Sequence, residues 1–84
     1  MKYSLITFRS VTPAQHAESY LRKEGIQCMI RRTPKWMEAQ GCGYSLKISV
    51  NEALRCVELL RTKGIAFRKI YLVRDNGLAE EMAL

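Results

Sequence analysis

The sequence has few of the residues that build disulfide frameworks and zinc sites. Its 84 residues include three cysteines and one histidine. An odd number of cysteines is a poor basis for a disulfide framework, and no CxxC motif accompanies His16 to begin a zinc site. We therefore expect free thiols, with no metal and no resident cofactor. Free thiols indicate a reducing compartment, and we expect the protein in the cytoplasm.

Long apolar runs are also missing. No segment approaches the roughly 20 apolar residues that a membrane span requires, and Arg9 interrupts the opening segment too early for a secretory signal. With 48% hydrophobic residues in a short chain, there is material for one two-layer core. The sequence predicts a single domain over residues 1–74 and a tail, 75–84, that is either frayed or a short helix.

Two parts of the chain repeat one another. LRKEGI at 21–26 matches LRTKGI at 60–65, and YSLIT at 3–7 matches YSLKI at 44–48. The two glycine-containing segments both close helix-like stretches and lead into strand-like ones. A strand–helix–strand unit is therefore predicted to occur twice.

Local signals predict the helix ends. The TPAQ pattern beginning at Thr12 is typical of a capping box with Thr12 as N-cap, and either Ser49 or Asn51 can cap the second helix. Gly25 and Gly64 close the two helices, because glycine accepts the left-handed backbone found there. The second helix carries one apolar stripe, consisting of Val50, Ala53, Leu54, Val57 and Leu60.

Four segments have strand character: residues 2–8, 26–32, 44–49 and 66–73. With the two helices they give the order β-α-β-β-α-β. Right-handed crossovers place both helices on one side of the sheet. We predict an α+β, ferredoxin-like domain with a four-stranded antiparallel sheet and two helices on one face.

The second and third predicted strands are joined by a long connection, TPKWMEAQGCG at 33–43. Hairpin loops usually take about two to five residues, so this length indicates a function. Cys42 lies in it between Gly41 and Gly43, which have no side chains to shield the thiol. We predict that Cys42 is reactive; the alternative is a glycine-rich turn in which the cysteine has no role.

Lysines near Cys42 in sequence could supply the charge that a reactive thiol needs. An ordinary cysteine titrates near pH ~8.5, leaving about a tenth as thiolate in neutral solution. Lys35 or Lys47 would increase that fraction if either points at the sulfur. Trp36 either covers the edge of the core or is an exposed anchor for a protein partner.

The other chemistry-bearing residues fit a scaffold. Cys28 lies beside Met29 and Ile30 on the second predicted strand, and Cys56 borders the apolar stripe of the second helix. Free cysteines usually behave as small buried hydrophobes, so both are expected in or beside the core. His16 is expected at a solvated helix position.

The sequence resembles a known family. YSLITFRSVTPAQHAESYLRKEGI, then Thr33-Pro34 before the loop, then Cys42-Gly43 followed by YSLKIS, are similar to the putative selenium/sulfur carrier protein-like family over about residues 3–73. Pro34-Lys35 stands where members commonly have proline-arginine, and EAQG replaces serines ahead of the cysteine. The resemblance implies a non-enzymatic carrier that holds a persulfide or selenopersulfide on Cys42 between sulfur or selenium donor and acceptor proteins.

Two other classes stay open. The net charge of +6 and the βαββαβ order suit an RNA-recognition domain, and QGCGYSLKI mimics its third-strand motif. Cys42 and Lys47 stand where that motif has base-stacking rings, so nucleic acid is disfavoured. The third class is a regulatory or assembly domain, in which a second copy closes the uncovered sheet face as a homodimer.

Overall fold

The computed structural model describes residues 2–33 and 43–82. Along the chain these form β1 (Tyr3–Phe8), α1 (Val11–Lys23), β2 (Cys28–Arg32), β3 (Tyr44–Ile48), a 3₁₀ turn (Val50–Glu52), α2 (Ala53–Lys63), β4 (Ile70–Val73) and β5 (Ala79–Glu81).

The strands form one antiparallel sheet in the order β2-β3-β1-β4-β5. β1 is central, with β3 on one side and β4 on the other. β2 pairs with β3, and β5 pairs with β4 as a hairpin. An α+β domain with two helices and an antiparallel sheet is therefore confirmed.

The number of strands differs from the prediction. The sequence predicted four strands and a tail from residue 75, whereas Ala79–Glu81 pairs with β4 as a fifth strand. The turn before it is closed by Gly77, whose N–H donates to the Arg74 carbonyl. The segment AEE has little strand propensity, so it is the pairing with β4 that makes it a strand.

The core lies between the two helices and one face of the sheet. Alternate residues of a strand point to opposite faces, and the inward set is buried against residues of both helices. The sheet contributes Ile6, Phe8, Leu46, Ile48 and Ile70; α1 contributes Ala14, Ala17 and Leu21; α2 contributes Ala53, Cys56, Val57 and Leu60. Both helices therefore cover the same face.

The helix C-termini agree with the sequence, and the first N-terminus does not. Gly25 and Gly64 have φ of 83° and 77°, and the residues after them donate to carbonyls of the last helical turn. The N-cap of α1 is Ser10 rather than Thr12, without a side-chain capping hydrogen bond. Proline at Pro13 fits anywhere in the first turn, so the TPAQ pattern did not fix the boundary.

The second helix begins later than the apolar stripe suggested. Ser49 is the N-cap of the 3₁₀ turn, again without a side-chain cap bond, and α2 proper starts at Ala53. Leu54 is 63% exposed and lies outside the stripe, while Cys56 is fully buried in it. At about 100° per residue the buried arc of α2 runs from Cys56 to Val57, and Leu54 lies about 60° beyond Val57, on the solvent side.

Within residues 2–33 and 43–82, neither helix combines the length and the apolar composition of a membrane span.

Candidate functional site

The segment that contains Cys42 is anchored at one end of the sheet. The Thr33 N–H donates to the Gly43 carbonyl at 3.0 Å, which extends the β2–β3 ladder by one pair beyond Arg32 and Tyr44. Cys42 itself, with Gly41, Lys35 and Trp36, lies outside the described residues. The structure therefore describes the two ends to which this segment is joined, and the predicted roles of these four residues stay predictions.

Both anchoring residues are buried. Thr33 is 2% exposed, and Gly43 is also buried. No residue of the described ranges accepts or donates a hydrogen bond at the Thr33 hydroxyl, although buried hydroxyls normally find a partner. In the sequence, Thr33 stands out only as part of the Thr33-Pro34 pair. Its burial depends on the neighbouring strands and is not visible in the sequence.

The Thr33 hydroxyl belongs to a group of three buried hydroxyls near this end of the sheet, all on the face away from the helices. Ser45 on β3 is opposite Arg31 and Thr7, and its Oγ donates to the Arg31 carbonyl at 3.4 Å. The Thr7 hydroxyl donates to the Lys69 carbonyl at 3.2 Å. Ser45 and Thr7 therefore have partners, and the Thr33 hydroxyl is available for another group.

Arginine side chains stand at the same end of the sheet. Arg32 is directly opposite Tyr44 in the register, and its guanidinium carbon lies 5.9 Å from the centre of the Tyr44 ring. Arg31 precedes it on the strand, and both side chains are exposed. A guanidinium stays protonated at any physiological pH. Arg32 is therefore a cation next to the start of the cysteine-containing segment. Its position depends on the β2–β3 register, which the sequence does not reveal.

Lys47 lies farther from the start of β3 than its closeness to Cys42 in sequence suggests. It lies four residues along β3 from Gly43, which is about 14 Å of strand. Its Nζ lies 4.5 Å from the centre of the Tyr3 ring, a cation–π contact at the opposite end of β1. Whether it also acts on the Cys42 sulfur stays a prediction.

The two described cysteines are in the scaffold, as predicted. Cys28 is 7% exposed and Cys56 is fully buried. Burial raises the pKa of the Cys56 thiol to about 12. Burial also raises the pKa of Cys28, which Arg22 offsets only in part. Both are therefore protonated thiols at neutral pH, and neither is suited to act as a nucleophile.

The strand β3 does not present an aromatic ring on the helix-free face of the sheet. Tyr44 aligns with an aromatic position of the third-strand motif, but it packs against the core cluster on the helix side. Ser45 and Lys47 are the β3 residues on the open face. Because base stacking needs rings on that face, the geometry of β3 does not favour the RNA alternative.

His16 is an exposed residue of α1, as expected. No three histidine, cysteine or acidic side chains within residues 2–33 and 43–82 are grouped closely enough to hold a metal ion.

The fold and the site together define a small α+β domain in which a cysteine-containing segment joins two adjacent antiparallel strands next to exposed arginines. The sequence model of the family described as "Putative Se/S carrier protein-like" matches residues 2–72. The chain therefore belongs to that family. No curated protein and no solved structure matches the chain significantly.

Proposed function

We propose that the protein is a sulfur or selenium carrier whose attachment point is Cys42. The observation that carries the proposal is the family match, which extends through nearly the whole domain and includes the Cys42-Gly43 segment. The chain is a carrier and not an enzyme in this proposal, because the thiol is loaded and unloaded by other proteins. Its partners are then a donor and an acceptor, and it works in a reducing compartment such as the cytoplasm.

The loading step is a simple exchange. The Cys42 thiolate attacks the terminal sulfur of a persulfide on the donor enzyme. A new sulfur–sulfur bond forms on Cys42, the donor's own sulfur–sulfur bond breaks, and the donor cysteine leaves as a thiolate. The acceptor removes the terminal atom by the reverse type of attack, so no external oxidant or reductant is needed for transfer.

The charges near the segment support a reactive thiolate. Lowering a thiol pKa by one unit requires about 1.4 kcal/mol. A cation about 4 Å from the sulfur supplies roughly 1 kcal/mol in water and up to about 4 kcal/mol at a partly screened site. Lys35 within the segment and Arg32, which lies opposite Tyr44, are the nearby cations in this proposal. Lys47, whose ammonium group lies over the Tyr3 ring, contributes at longer range. Gly41 leaves room for the partner's active site, and Trp36 is a contact for it, whereas Gly43 is buried where the segment rejoins β3.

The burial of the other two thiols also supports the proposal. A carrier needs one thiol that reacts while the others do not. Cys28 and Cys56 are buried with raised pKa values, which leaves Cys42 as the candidate attachment point.

Incubation with a cysteine desulfurase and free cysteine, followed by intact-mass measurement under non-reducing conditions, tests the proposal. We expect wild type to gain the mass of one sulfur atom and Cys42→Ser to gain none. Cys28→Ala and Cys56→Ala are the matched controls, and both should still be loaded once circular dichroism shows that they are folded. Loading of Cys42→Ser to the wild-type level would rule out Cys42 as the attachment point.

A further inference from the structure

The strand β2 forms one edge of the sheet. Within residues 2–33 and 43–82, β3 is its only strand neighbour. A strand with one free side exposes backbone N–H and C=O groups that another extended chain can pair with. The outer side of β2 is therefore a potential acceptor for a further strand.

The register shows which backbone groups are available. Thr33 and Gly43 form a hydrogen-bonded pair, and such pairs alternate with non-hydrogen-bonded ones along an antiparallel ladder. The N–H and C=O groups of Cys28, Ile30 and Arg32 therefore point away from β3. The Cys28 carbonyl accepts a bond from Arg22 at 3.0 Å, which confirms this direction and leaves Ile30 and Arg32 as the open positions.

The side chains along this edge combine one apolar group with two positive charges. Met29 is 58% exposed, and Arg31 and Arg32 are exposed on opposite faces of the strand. No carboxylate of the described residues forms an ion pair with either arginine. An incoming strand would thus meet a positive charge on each side of the sheet.

We propose that the β2 edge binds an extended, acidic segment of a partner protein by strand addition. Backbone bonds to Ile30 and Arg32 provide the pairing, carboxylates of the segment face Arg31 and Arg32, and Met29 provides an apolar contact. This goes beyond the proposed carrier function and does not depend on the chemistry of Cys42. It would place the partner beside Thr33, where the cysteine-containing segment begins.

Charge selects this occupant over a second copy of the chain. Antiparallel pairing of two β2 strands would bring four arginines close together, and like charges on adjacent strands are destabilising. The net charge of +6 adds repulsion between copies and attracts an acidic partner. Nucleic acid is less suitable, since Tyr44 packs towards the core and gives this edge no ring for base stacking.

Two synthetic peptides test the proposal on the full-length wild-type chain. The first is a short, fluorescein-labelled peptide in which pairs of adjacent glutamates are separated by single valines, so that carboxylates lie on both faces of the strand. The second has the same sequence with every backbone amide methylated, which keeps its charge but removes the N–H donors of both edges. We expect fluorescence anisotropy to show binding of the first and at least roughly tenfold weaker binding of the second. Amide exchange should slow at Ile30 and Arg32 when the first peptide is bound.

Charge reversal provides the matched comparison. Arg31→Glu/Arg32→Glu should weaken binding of the first peptide by roughly tenfold or more. Lys23→Glu/Arg61→Glu makes the same change in net charge at exposed helix positions. Any weakening in this variant measures the effect of net charge alone, and we expect binding to stay within about twofold of wild type.

Several outcomes would overturn the proposal. These are no binding of the first peptide, equal binding of both peptides, or an equal loss of binding in the two double variants. Equilibrium sedimentation showing a wild-type dimer with protected Ile30 and Arg32 amides would replace the acidic partner with a second copy. If no peptide binds and Arg31→Glu/Arg32→Glu self-associates, the arginines serve only to keep the edge unpaired.

Discussion

The burial of Cys28 and Cys56 predicts that the folded protein has two unreactive thiols. The perturbation is alkylation with iodoacetamide at about pH 7.5, under native conditions and in urea. With a pKa of about 12, Cys56 is thiolate in roughly 3 of every 100,000 molecules at that pH, against about one in ten for an ordinary cysteine. Its alkylation should therefore be slower by about three orders of magnitude, and burial of the sulfur slows it further.

Intact-mass measurement over time is the assay. Wild type should gain one alkyl group rapidly under native conditions and three in urea, which matches its three cysteines. Cys42→Ser should gain none rapidly under native conditions, and Cys28→Ala should gain one rapidly under native conditions and two in urea. Peptide mapping then identifies the labelled residue.

Two results would refute parts of this reasoning. Rapid native labelling of Cys42→Ser would show that Cys28 or Cys56 is accessible, so the described burial would not protect the thiols. Absence of rapid labelling in wild type would show that Cys42 is not an exposed nucleophile, and the proposed attachment point would be lost. Labelling of wild type in urea is the control: if all three cysteines are alkylated there, the reagent is active and slow native labelling is a property of the folded protein.

Two further predictions concern stability, both measured by urea unfolding. Leu60→Ala should lower the free energy of unfolding by about 2–5 kcal/mol, since Leu60 is fully buried. Leu54 on the same helix is 63% exposed, so Leu54→Ala should change the free energy of unfolding by less than about 0.5 kcal/mol. Equal effects of the two substitutions would contradict the assigned helix face. The pKa of Cys56 in the folded state, about 12, lies above its ordinary value of 9.0. The protonated Cys56 thiol therefore contributes its full stabilisation of the folded state below pH 9, and this contribution is lost as the pH rises towards 12. The stability difference between wild type and Cys56→Ala should shrink by about 1 kcal/mol between pH ~8 and pH ~10, and a constant difference would show that Cys56 does not keep its proton on folding.

Local patterns were enough to predict most of the scaffold. Gly25 and Gly64 end the helices because a left-handed residue is required there, and that requirement is visible in the sequence. The burial of Cys28 and Cys56 followed from the apolar residues around them. The fifth strand was not predictable, since the segment AEE becomes a strand only by pairing with β4.

The surroundings of the site were harder to predict because they depend on register. Lys47 was selected for its closeness to Cys42 in sequence, yet its ammonium group lies over the Tyr3 ring. Arg32 is ten residues from Cys42 in sequence but lies opposite Tyr44. Along an extended strand, four residues correspond to about 14 Å, whereas neighbouring strands are only about 5 Å apart. Residues on the next strand can therefore be nearer to a site than residues a few positions along the same strand.

The sequence by itself determined the order β-α-β-β-α-β of the first six elements, the glycines that end both helices and the segment that contains the candidate cysteine. Each of these depends on periodicity or backbone preference within a few consecutive residues. Only the tertiary structure decided that β2 lies at the sheet edge, that its arginines are exposed there and that Thr33 and Gly43 are joined by a hydrogen bond. These features arise from pairing between segments far apart in the chain, and no local pattern fixes which strands become neighbours.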